Sequence, residues 1–190
     1  MKKLVVASLF VLLTSSTIFA RGGNFGHGYG YYHKGAQYQQ NMVISNLTEQ
    51  QKNDLIFMYQ EEKLARDVYI TLGKKWGASL FLNIQKSEQM HMDAIKNLLT
   101  KYSLEIPVSN DDIGHFQNEE LQALYNDLVA KGNLSLKDAL EVGVAIEETD
   151  IADLEEKLDG APSDVANVYN RLLRGSYNHL SAFNRYLGVL

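Results

Sequence analysis

The sequence predicts an all-α domain: four long helices, with a short fifth helix in the long connection between the second and third. Three observations carry that expectation. Helix-capping residues recur ahead of apolar runs, and the apolar residues step by three and four. Alternating strand patterns are almost absent from Asn46 onward.

Each element has its own signal. Thr48 opens "TEQQ", a capping-box spacing, and starts a helix expected to run to about Lys74, ahead of Gly77. A second helix is expected from about Ser79 to Tyr102. "SLEIPVSNDDIGHFQ", with Pro107 and Gly114, reads as loop. Asn118 caps the short helix "EELQALYNDLVAK", which stops at Gly132. Ser135 with Asp138 opens the third long helix, which ends near Gly160. After Pro162, Ser163 is expected to cap the last helix, to about Leu187. Tight turns within each pair make antiparallel neighbours, and a connection as long as 103–134 suits a crossover.

Residues 1–20, "MKKLVVASLFVLLTSSTIFA", have a basic start, an apolar run from Leu4 to Leu13 and a small-polar end at Ala20. That is the pattern of a secretory signal peptide cleaved after Ala20, and it predicts a periplasmic or secreted protein. The alternative, a retained membrane anchor, is disfavoured by the shortness of the apolar run. Residues 21–45, rich in glycine and tyrosine, read as a flexible tether to a domain spanning 46–190.

Cysteine is absent, which excludes disulfides, iron–sulfur clusters and thiolate metal sites. With Lys2 and Lys3 set aside, 16 of the 18 basic residues face 23 acidic ones. That balance argues against nucleic acid as a partner and is compatible with attracting cations. The sequence has no His-Glu-x-x-His, no Gly-x-Ser-x-Gly and no phosphate-binding loop.

The buried seams of the four long helices share one interruption. They read Leu55, Met58, Glu62, Ala65, Tyr69, Leu72, Trp76; then Phe81, Ile84, Glu88, His91, Ile95, Leu98, Tyr102. The third reads Leu136, Leu140, Val144, Glu147, Ile151, Leu154, Leu158; the fourth reads Val165, Tyr169, Leu172, Ser176, His179, Phe183, Tyr186. Each is apolar or aromatic at its ends and polar near its middle. Matched depth would gather three carboxylates and two imidazoles around one point. Their mutual repulsion and desolvation call for cations, and a divalent metal pair meets that need best. The alternative is a buried hydrogen-bonded network without metal. Glu88 and His91, three residues apart, project from one helical face and can reach the same metal pair. Oxygen and imidazole ligands suit iron or manganese, with zinc also possible. Glu61 and Glu148, each beside a seam residue, are expected in solvent. Tyr69 and Tyr169 flank the layer, with packing as their default role and hydrogen bonding to a ligand carboxylate second.

"EKLARDVY" and "SEQMH" resemble the first two helices of rubrerythrin-related, ferritin-like proteins. With "LQALYNDLVAKG", "VGVAIEETDIADLEE" and "GSYNHLSAF", the chain resembles the uncharacterised domain of unknown function 2202 family over residues 47–187. The resemblance implies a ferritin-like four-helix bundle and a di-iron carboxylate centre, with Glu62, Glu88, His91, Glu147 and His179 at matching ligand positions. The departure is Ser176, where the pattern has a second Glu-x-x-His and this chain reads "SYNH". Asp150, one turn beyond Glu147, is a candidate replacement ligand; the alternative is an open position near Ser176. The implied chemistry is redox action on oxygen, peroxide or ferrous iron, with electrons from an external donor or from ferrous iron. The rival readings are a non-enzymatic metal-binding module and a metal-free helical interaction domain.

Overall fold

The computed structural model describes residues 46–107 and 112–190. The expected signal peptide and tether lie outside the described residues. Among the described residues there are five helices and no strand: α1 Glu49–Trp76, α2 Ser79–Lys101, α3 Glu119–Gly132, α4 Leu136–Leu158 and α5 Ser163–Leu187. None of these helices is long and apolar enough to cross a membrane.

The helix boundaries follow local chemistry. Thr48 Oγ1 accepts from the Gln51 amide at 3.2 Å, and Gln51 Oε1 accepts from the Thr48 amide at 3.0 Å. This satisfies two of the amide groups that a helix start leaves without partners. Gly77 ends α1 with φ at 62°, donating to the Gly73 carbonyl at 2.9 Å. Only two residues separate α1 from α2, so the left-handed turn at Gly77 reverses the chain directly. Asn118 caps α3 by accepting from Glu120 and Leu121 amides, and Ser135 caps α4 by accepting from Asp138. The expected cap at Ser163 is corrected: α5 begins at Ser163 itself, and Pro162 precedes it without a side-chain bond. Proline suits that entry because its preset φ leads into a helix.

α1 packs chiefly on α2 and α4 on α5, with α1 also touching α4, α2 touching α5, and α3 lying against α4 and α1. Apolar residues form two clusters. One gathers Leu64, Ala65, Val68, Tyr69 and Leu72 of α1, Phe81 of α2, Leu121, Leu124 and Leu128 of α3, Leu140 of α4 and Phe183 of α5. The other gathers Leu55 and Met58, Ile95 and Leu99, Leu154, and Tyr169 and Leu172. α1 and α5 run from the second cluster to the first, whereas α2 and α4 run from the first to the second. Each fully buried large apolar side chain contributes roughly 1.5–3 kcal/mol, so either cluster holds the four long helices in register.

The expected seams are buried over most of their length, with Trp76, Tyr102, Leu136 and Leu158 at their ends half-buried. Tyr186 is exposed at the end of α5, and Val144 is half-buried because Gly143 takes the inward position beneath the Phe183 ring. Along every long helix the polar residues of the expected seam fall between the two clusters.

Candidate metal centre

Glu62 arrives from α1, Glu88 and His91 from α2, Glu147 and Asp150 from α4, and Ser176 and His179 from α5; all are buried. Nδ1 of His91 lies 3.2 Å from Glu62 Oε2 and 2.9 Å from Glu88 Oε2. Nδ1 of His179 lies 2.9 Å from Glu88 Oε1 and 3.4 Å from Glu147 Oε2. The two imidazoles stack with centroids 5.7 Å apart. Two groups of candidate ligands result, Glu62–Glu88–His91 and Glu88–Glu147–His179, each with its ligand atoms within 4.8 Å of one another. Glu88 belongs to both.

Of these contacts, His91 Nδ1 with Glu62 Oε2 forms a hydrogen bond, but other atoms of the layer are poorly satisfied. Glu62 Oε1, Glu88 Oε1 and His179 Nδ1 are buried without a hydrogen-bond partner among the described residues. Buried polar atoms of a folded chain are ordinarily paired. Unaligned oxygens and ring nitrogens facing a common point fit a cation, whose ligands sit at about 2.1 Å from it and so need only small side-chain shifts.

The electrostatics point the same way. Burial pushes Glu62 up to about 7, against the opposing pull of His91, and burial with Glu88 pushes Glu147 up to about 8. Burial also works against Glu88, yet His179 and His91 hold it down at about 2. Burial would lower the two histidines, but Glu62 and Glu88 hold His91 at about 11, and Glu147 and Glu88 hold His179 at about 10. Without metal, the layer keeps its carboxylates together by retaining protons.

Around the layer, Tyr69 donates to Glu147 Oε1 at 2.6 Å, so it takes the second of its two expected roles. Tyr169 keeps the packing role, its hydroxyl without a partner. Ser176 Oγ lies 2.5 Å from Asp150 Oδ2 and 3.0 Å from the Leu172 carbonyl. Asp150 therefore stands beside the centre, outside both ligand groups, with Oδ1 unpaired. Burial, then Glu62, pushes its carboxyl well above the usual range.

One expectation changes and one residue group was missed. Glu148 is exposed as expected, but Glu61 is half-buried with Oε2 sealed from solvent, because α4 closes over that face of α1. Arg66 does not reach the centre. It binds Asp67 through Nε at 2.9 Å and Gln89 Oε1 at 2.5 Å. Lys63, Arg66 and Asp67 form a buried ionic cluster that the seams do not predict. Its one sequence signal is the i,i+4 spacing of Lys63 and Asp67.

Comparison with known proteins agrees with the helical fold. The uncharacterized protein MJ0754 of Methanocaldococcus jannaschii is 49% identical over 152 residues, 80% of this chain and 82% of the relative. The crystal structure titled as that organism's hypothetical protein MJ0754 superposes with a TM-score of 0.73 at 51% identity, covering 75% of this chain and 82% of the other. A DUF305 fragment from Deinococcus radiodurans shares the fold at 19% identity and a TM-score of 0.57, covering 75% of this chain and 98% of the fragment. A family model described as an uncharacterized protein domain, DUF2202, matches residues 51–189. The chain belongs to the DUF2202 family.

Proposed function

We propose that the chain is an exported, ferritin-like metalloprotein with a dinuclear carboxylate–histidine centre, acting by oxidation–reduction on dioxygen, peroxide or ferrous iron. The observation that carries this reading is the pair of three-residue ligand groups sharing Glu88. Glu62 with His91 would hold one ion and Glu147 with His179 the other, with Glu88 spanning both. The helix order supports the ferritin-like assignment. α2 and α4 run in the same direction, which suits a crossover between them. The pattern of residues 1–20 supports export.

Iron or manganese at such a ligand set supplies one-electron redox chemistry that the side chains alone lack. The chain's own contribution is positional. Tyr69 ties down Glu147 Oε1 and leaves Oε2 toward His179. Apolar clusters on both sides exclude water from the layer. On the α5 side, Ser176 is too short to ligate and is bound to Asp150. That side is read as the open position for a small oxidant.

The test is metal content followed by turnover. Chain loaded anaerobically with Fe²⁺ is expected to hold two ions and to consume oxygen or peroxide repeatedly. Asp150→Asn should keep two ions, while Ser176→Glu should keep them and lose turnover. One ion or none would end the dinuclear reading; two ions without turnover in wild type would leave sequestration as the function.

A further inference from the structure

The face where α1 meets α4 carries more carboxylate than the centre uses. Glu61 is half-buried and its Oε2 has no hydrogen-bond partner. Asp150 and Asp153 act on it as like charges, Asp153 also by a side-chain hydrogen bond, and Lys157 acts as the opposing charge. Asp150, 6% exposed, has one oxygen against Ser176 and the other unpaired. It lies within electrostatic reach of Glu62 and Glu88 as well as Glu61. Asp153 and Glu61 are half-buried, whereas Asp150 and Glu62 are buried.

Buried acids that face one another without donors are costly unless a proton or a cation lies between them. A row of them, graded from surface to centre and holding two unpaired buried oxygens, suits a cation in transit. Lys157 ion-pairs with Asp153 at 2.9 Å and lies over the Phe57 ring at 4.6 Å.

We propose that Asp153, Glu61 and Asp150 form the route by which a divalent cation enters from the α1–α4 face, with Lys157 as the positive charge it displaces. This rests on the dinuclear reading above and adds the path to it. Carboxylates lining a cleft raise the local cation concentration and the rate of entry.

The experiment mixes the metal-free full chain with Co²⁺ and follows loading by stopped-flow absorbance, with stoichiometry read at saturation. Glu61→Gln is expected to load at least about tenfold more slowly, with two Co²⁺ still bound at the end. Asp153→Asn should slow loading less, and Lys157→Met should speed it severalfold. Glu148→Gln, on the exposed face of α4, should load like wild type. A general folding defect would not move acidic and basic variants in opposite directions. Wild-type rates in Glu61→Gln and Asp153→Asn, or a Lys157→Met variant that slows, would overturn the route. So would fewer than two Co²⁺ in Glu61→Gln, which would make Glu61 a ligand of the centre. Wild type that binds no Co²⁺ overturns the centre itself; wild type that binds two while every variant loads at its rate overturns the route alone.

Discussion

Three glutamates in one layer meet three electrostatic situations. Glu88 faces both imidazoles and stays ionised to about 2, whereas Glu62 and Glu147 face fewer cations and rise to about 7 and 8. Raised folded values of the two glutamates and two histidines have the same sign. The native state then binds more protons than the unfolded chain, so stability is present at low pH and lost as pH rises through the folded values. Glu88 acts oppositely, but only as pH falls from 4.5 toward 2. The melting temperature of chelated protein should therefore fall by several degrees between pH 5 and 8. Metal-loaded protein should not fall over that interval, because metal binding displaces the same protons and strengthens with pH. Calorimetry on both forms checks this, and a chelated form that gains stability toward pH 8 would contradict the layer's electrostatics.

At the scale of elements, α5 approaches His91 with backbone rather than side chain. A Cβ on Gly175 would stand 2.6 Å from His91 Nε2 and 2.7 Å from Cε1. Alanine there gains roughly 0.8–1 kcal/mol of helix propensity over glycine, yet it pushes the imidazole off Glu62 and Glu88. Gly175→Ala should thus cost the chelated chain only modestly, the helix gain offsetting part of the crowding, and weaken Co²⁺ binding at least about tenfold. Titration beside thermal denaturation checks the split; undiminished affinity would show that α2 moves with the ring. The Glu88–His91 pair was legible because a spacing of three puts both side chains on one face. Gly175 was not, because its constraint comes from a neighbouring helix and leaves no period along α5.

At the scale of the molecule, the buried cluster of Lys63, Arg66 and Asp67 joins parts distant in sequence. Asp67 Oδ2 takes Lys63 at 2.5 Å and the Gly114 amide at 3.0 Å, while Lys63 also donates to the His115 carbonyl at 3.2 Å. Arg66 reaches Gln89, which holds Asp93. Through this cluster α1 fastens the segment before α3 on one side and α2 on the other. Asp67→Ala would leave two buried cations without their anion, a loss of about 3–5 kcal/mol. Denaturant unfolding measures it, and a loss under about 1 kcal/mol would mean that water reaches the cluster.

The sequence by itself determined the five helices, nearly all their caps and the polar interruption at one depth in four seams, because caps and periods are local and repeat every three or four residues. Glu62, Glu88, His91, Glu147 and His179 were readable for that reason. Only the tertiary structure decided that Glu88 is shared by both ligand groups, that Asp150 turns to Ser176 and that Glu61 is drawn inward. The same holds for Arg66, which turns away from the centre to Asp67 and Gln89. Each of these depends on the rotation of one helix against another, and a seam read along a single helix does not contain that angle.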